Sequence, residues 1–180
     1  MALQGTLDGL CGPYAIVNAY HLCDLDEDWL GQDILEISCS ELQGWPEALW
    51  SGTSFEQMRQ MLDACQQRLK SAYEEANVDY PITVDYPFEK QVPATSKRYW
   101  KEFDNKFKNN HVVCGIAGME HPDKHWFAFI NWRDSLLAFD SFTAPWSGFH
   151  RMPRSRIHAG SRNISDYILN REELIVFNQA

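Results

Sequence analysis

Between residues 111 and 140 the chain leaves little freedom of topology. Three runs rich in β-branched and aromatic residues, 112–117, 125–132 and 136–139, are broken by Glu120-His121-Pro122-Asp123-Lys124 and by the turn-like Arg133-Asp134-Ser135. Short strands joined this closely pair antiparallel, so the segment predicts a meander. Upstream the period is helical. Pro13 opens a buried helix to about Leu22, and Asp24 to Asp28 supply a polar break with capping character. Trp29, Leu30, Ile34, Leu35, Ile37 and Leu42 then mark one face of a second helix. Ser54 and Gln57 have capping-box spacing ahead of a long third helix striped by Phe55, Met58, Met61, Leu62, Cys65, Leu69 and Tyr73.

Residues 81–86 alternate as a strand. Thr95 or Ser96 caps a further helix to about Lys108, with Tyr99, Trp100, Phe103 and Phe107 inward and Lys97, Lys101, Lys106 and Lys108 on a solvated face. Beyond Asp140 the periodicity is weak as far as Leu169, which predicts extended loop with one short strand, and 174–177 reads as a last strand. Helices in the first half and strands in the second predict an α+β fold, with an N-terminal helical half packed on a C-terminal antiparallel sheet. At 180 residues, with no linker-like stretch, the expectation is a single domain over 1–180.

A net charge of −9 without a basic helix face argues against a nucleic-acid partner. No apolar run reaches the roughly 20 residues of a membrane helix, and no signal-peptide pattern opens the chain, so a cytoplasmic protein away from membranes is expected. The five cysteines, Cys11, Cys23, Cys39, Cys65 and Cys114, are odd in number and lack Cys-x-x-Cys spacing, which fits a reduced compartment.

Chemistry concentrates near the start, in Gln4-Gly5-Thr6-Leu7-Asp8-Gly9-Leu10-Cys11-Gly12-Pro13-Tyr14. An irregular glycine-containing loop runs into a proline-led helix, so Cys11 falls at or just before the first helical turn. Unpaired N–H groups and the positive end of the helix dipole there favour a thiolate, the nucleophilic form. A thiolate acting on amides needs an imidazole to carry a proton and a third group to hold that imidazole. His125 opens one strand of the meander and Asp140 ends the next, which places them side by side at one edge of the hairpin.

The order Cys11, His125, Asp140, with a Cys-Gly-Pro helix start, a His-Trp strand start and an Asp-Ser strand end, resembles the papain-like cysteine peptidase superfamily. Within it the chain is most similar to the bacterial double-glycine bacteriocin-processing peptidases. The resemblance implies a helix packed on an antiparallel sheet with the active site between them. It implies Cys11 as nucleophile, His125 as general base and acid, and Asp140 as the residue that orients the imidazole. Gln4 is the matching oxyanion-hole side chain, beside the Cys11 backbone N–H. It stands one residue further from the cysteine than the usual spacing, so either the Asp8-Gly9 turn absorbs a residue or Gln4 is an ordinary loop residue.

Metal chemistry fits less well. His111, Cys114, His121 and His125 lie close in sequence, but His111 and Cys114 are three apart across a predicted strand and face opposite sides. Asp24, Asp26 and Asp28 lack the glycine of a calcium loop. Neither a metal nor a cofactor is expected. The leading expectation is a cysteine peptidase that cleaves a peptide or isopeptide bond of a protein or peptide substrate through a thioester acyl-enzyme. The same triad would also serve a glutamine deamidase, a transglutaminase-like acyltransferase or a peptidoglycan amidase. A non-catalytic module binding through Trp45, Trp50 and Trp146 is the third alternative.

Overall fold

The computed structural model of the chain describes residues 9–25, 28–42, 52–109, 111–140, 149–160 and 166–179. Helices α1 (Cys11–Leu22), α2 (Asp28–Glu41) and α3 (Phe55–Glu75) come first. They are followed by β1 (Ile82–Asp85), α4 (Ser96–Phe107), β2 (Val112–His121), β3 (His125–Trp132), β4 (Ser135–Phe139), β5 (His150–Pro153), a 3₁₀ turn (Arg154–Arg156), β6 (Ile157–Ala159) and β7 (Tyr167–Gln179). The strands form one sheet in the order β1-β7-β2-β3-β4-β5, every neighbour antiparallel, while β6 adds to β7 in parallel. The α+β architecture and the β2-β3-β4 meander are as the sequence predicts.

Local chemistry sets the helix starts. Ser54 Oγ accepts the Gln57 N–H at 3.2 Å while the Gln57 side chain accepts the Ser54 N–H at 2.8 Å, a complete capping box for α3. Of the two candidates for α4, Thr95 is the cap, accepting from Arg98 N–H at 3.2 Å, and Ser96 instead accepts from the Ala159 N–H at 3.0 Å, tying α4 to β6. α1 begins at Cys11, and Pro13 occupies the first turn, where its missing N–H leaves no bond unmade.

Alternation along the strands divides the core. Trp126 and Ala128 of β3, with Ile175 and Phe177 of β7, face α1, α2 and α3. Phe127 and Phe129, with Leu174 and Val176, face Tyr99 and Phe103 of α4. The His125-Trp126-Phe127-Ala128-Phe129-Ile130 run is therefore apolar at nearly every position because both faces of its strand are covered. Full burial of a side chain of this size is worth about 1.5–3 kcal/mol. On the α1 face Tyr20 meets Phe177 edge-on with ring centroids 5.4 Å apart, and on the α4 face Phe103 stacks on Phe129 at 5.8 Å.

Two expectations need correction. The segment beyond Asp140 is not loop with a single short strand, since β5 pairs with β4 and β6 pairs with β7. β5 has only Met152 buried and is held by partner chemistry: Arg151 donates to Ser135 Oγ at 2.9 Å and to Asp134 at 3.0 Å. The last strand is also much longer than 174–177, running from Tyr167 through a wide irregularity opposite β2. No helix among the described residues is long and apolar enough to cross a membrane.

Candidate active site

The amino end of α1 abuts the start of β3. Tyr14 N–H donates to Leu10 O at 3.1 Å and closes the first turn, so the N–H groups of Cys11 and Gly12 precede the helical ladder. Gly12 permits a close approach. A Cβ there would lie 2.7 Å from Thr53 Oγ1, so the 52–54 segment sits directly on the helix start. The same segment is tied to β3, because the Trp126 indole N–H donates to Thr53 O at 2.7 Å. Trp126 in turn stacks on Phe55 with centroids 6.2 Å apart. Thr53 and Trp126 thereby hold the helix that bears Cys11 against the strand that begins with His125.

At that junction the three residues paired by sequence order come together. His125 Nε2 lies 2.6 Å from Asp140 Oδ1, with both side chains nearly removed from solvent. Cys11 is the second hydrogen-bonding partner of the imidazole. With Nε2 committed to the carboxylate, Nδ1 is left for the sulfur. Burial pushes His125 down, but the hydrogen bonds to Asp140 and Cys11 and the charges of both outweigh it and bring the imidazole up to about 9. An imidazolium between a carboxylate and a sulfur is a proton held ready for transfer.

The three residues open into a cleft of about 1020 Å³, whose walls include Gly9, Thr53, Phe55, Trp126, Met119, Glu120 and Glu173. Such a volume accommodates several residues of an extended peptide or one side chain with its flanking backbone. Gln4 lies outside the described residues, as do Trp45, Trp50 and Trp146. The residues weighed for metal binding are dispersed: Cys114 is buried against Cys23, His111 meets the Gln179 carbonyl, and His125 belongs to the Asp140 pair. All five cysteines are free thiols.

The sequence reading passed over two contributors to the cleft. Trp126 was legible as part of an apolar strand and of its His-Trp start but not as a contact, because its indole bond to Thr53 depends on a loop 73 residues away. Glu173 was hidden because the polar stretch Asn170-Arg171-Glu172-Glu173 interrupts strand alternation. Gly118, a glycine inside a strand, is the signal that could have announced a close approach there. No family model matches the chain, and no curated protein or solved structure matches it.

Proposed function

We propose that this protein is a cysteine peptidase of papain-like type, hydrolysing a peptide or isopeptide bond through Cys11, His125 and Asp140. The observation that carries the reading is His125 itself, bonded at Nε2 to a half-buried carboxylate 2.6 Å away and hydrogen-bonded as well to a thiol on a helix start.

The Cys11 sulfur attacks the substrate carbonyl carbon, and the carbonyl electron pair moves to oxygen. The developing oxyanion is met by the N–H groups at the start of α1, which point along the positive end of the helix dipole and need no reorganisation. His125 gives its Nδ1 proton to the leaving amine as the C–N bond breaks, leaving a thioester on Cys11. Water then attacks the thioester while His125 accepts its proton. Collapse releases the carboxylic acid and returns the proton to the Cys11–His125 pair. Asp140 keeps the ring in the orientation that presents Nδ1 to sulfur throughout, and stabilises the imidazolium without itself taking the proton.

Incubation of wild type and Cys11→Ala with a complex peptide pool, followed by mass-spectrometric detection of new N-termini, tests the reading. New N-termini that depend on Cys11 are expected. Ammonia release from glutamine without chain cleavage would replace the peptidase by a deamidase on the same triad. Neither product from a folded wild-type protein would overturn the hydrolytic assignment.

A further inference from the structure

The cleft has a second built feature, and its meaning rests on the hydrolase reading above. β7 pairs with β2 through Ala117–Leu174 and Met119–Leu169, so one β2 residue, Gly118, stands opposite four on β7, residues 170–173. Insertions of this kind re-aim side chains and are common beside active sites. The inserted residues are fastened. Asn170 Oδ1 accepts the Glu172 N–H at 3.1 Å, and the Asn170 amide donates to Glu120 at 3.1 Å. Arg171 donates to the carbonyls of Pro93 and Ala94. Glu173 is folded over Gly118: a Cβ at position 118 would lie 2.9 Å from Glu173 Cβ and collide with the carboxylate. Glycine leaves room for an acid at that spot.

That spot belongs to the nucleophile's side of the sheet. Gly118 pairs with Trp126, which follows His125 and shares the α1-facing core with Cys11. Two strand spacings, about 10 Å, separate β7 from β3. This is the reach of a long side chain one or two residues from a bond held at the sulfur. Glu173 is also short of a counter-ion. Lys124 is near enough to pull its carboxyl down, yet among the described residues no cation forms an ion pair with it. Burial first, then Glu120 and Glu172, push the carboxyl up to about 7. A cation arriving from the substrate would offset both the desolvation and the repulsion, and would form a charge-assisted hydrogen bond. The net charge of −9 draws such a partner from a distance.

We propose that Glu173, seconded by Glu120, is a specificity-determining residue of the cleft, selecting substrates with a lysine or arginine side chain close to the bond that Cys11 attacks.

The test uses matched peptidyl electrophiles that alkylate Cys11, identical except for lysine, norleucine or glutamate at the selecting position, with rates followed by intact mass. Wild type should label with the lysine probe about tenfold faster than with norleucine, and slowest with glutamate. Glu173→Gln should bring lysine and norleucine to equal rates, Glu120→Gln should narrow the gap, and added salt should narrow it in wild type. The rate with iodoacetamide, which carries no side chain, is measured on each protein and divided into the peptidyl rates, so that the lysine-to-norleucine ratio reads side-chain selection apart from any change in Cys11 itself. The same measurement shows whether the variant is folded at the site. Equal lysine and norleucine rates in wild type, or a preference that survives Glu173→Gln, overturns the proposal while leaving the hydrolase reading intact. Cys11 that reacts with iodoacetamide no faster than Cys65 overturns the hydrolase reading instead.

Discussion

Helix α1 has a thiol at each end. Cys11 begins it, and Cys23 follows its last residue. Cys11 faces an imidazole bonded to a carboxylate and lines an open cleft. Cys23 lies in the core with its sulfur 3.7 Å from that of Cys114, whose own thiol reaches Ala19 O at 3.4 Å. Burial pushes the Cys114 thiol well above its ordinary range, and its hydrogen bond with Cys23 pushes the same way. At one end of the helix the N–H groups that precede the helical ladder and a charged partner suit an anion, while the other end offers carbonyls, apolar walls and a second thiol. One residue type on one helix thus serves two purposes, set by neighbours up to 114 positions further along the chain.

The sharpest way to break this contrast is to remove the imidazole. His125→Ala should slow alkylation of Cys11 by iodoacetamide at pH 7, and any Cys11-dependent hydrolysis, by roughly 10²- to 10⁴-fold. Labelling of Cys65, which burial raises to about 11, should stay as slow as before. Asp140→Asn, which keeps the shape but not the charge, should fall between wild type and His125→Ala. Peptide mapping of the five cysteines after a limiting pulse of reagent reads both. If Cys11 and Cys65 label alike in wild type and neither variant changes this, the two ends of α1 do not differ in the proposed way.

A smaller effect tests the electrostatics alone. His125 titrates near 6.5 when unfolded and about 9 in the folded protein, so the native state binds the extra proton. The stabilisation is complete below pH 6.5 and is lost as pH rises from there through 9. Thermal melts of wild type and His125→Gln across pH 6 to 10 should show an advantage for the native imidazole at the acid end that shrinks by on the order of 2 kcal/mol toward pH 10. A difference that does not vary with pH would mean that Asp140 and Cys11 do not hold the proton.

How far the sequence reaches follows the same division. The His125–Asp140 proximity was legible because a tight hairpin brings a strand start beside its partner's end, whatever the rest of the fold does. The buried stripe of α3 was legible because Met58, Met61, Leu62, Cys65 and Leu69 recur at helical spacing. Less local features were not. β5 has a single buried residue and depends on Arg151 finding Asp134 and Ser135 across the sheet. β7 breaks its alternation at residues 170–173, where four residues leave the ladder to carry Glu173 to the cleft, so only the apolar end of the strand showed. Cys11 stood apart from Cys23 because a glycine-containing loop and the Cys-Gly-Pro sequence put it at a helix start. What each thiol faces was not legible, and only assembly of α1 against β2 and β3 gives one an imidazole and the other a second thiol.

The core end of α1 yields the smallest prediction. Cys114 is fully enclosed by the α1-facing cluster, and its sulfur fills space against Cys23 and Ala19. Cys114→Ala removes one heavy atom and a weak hydrogen bond, leaving a void too small for water. The cost should be about 1–2 kcal/mol of stability, measurable as a shift of the urea midpoint without change of slope. Because α1 is also fastened at its other end, where Gly12 and Thr53 are in close contact and Thr53 O holds the Trp126 indole, the loss should stay local. The iodoacetamide rate of Cys11 should remain within a factor of two of wild type. A large drop in that rate, with the protein still folded, would show that the packing of Cys23 and Cys114 sets the position of the nucleophile and that the two ends of the helix act as one unit.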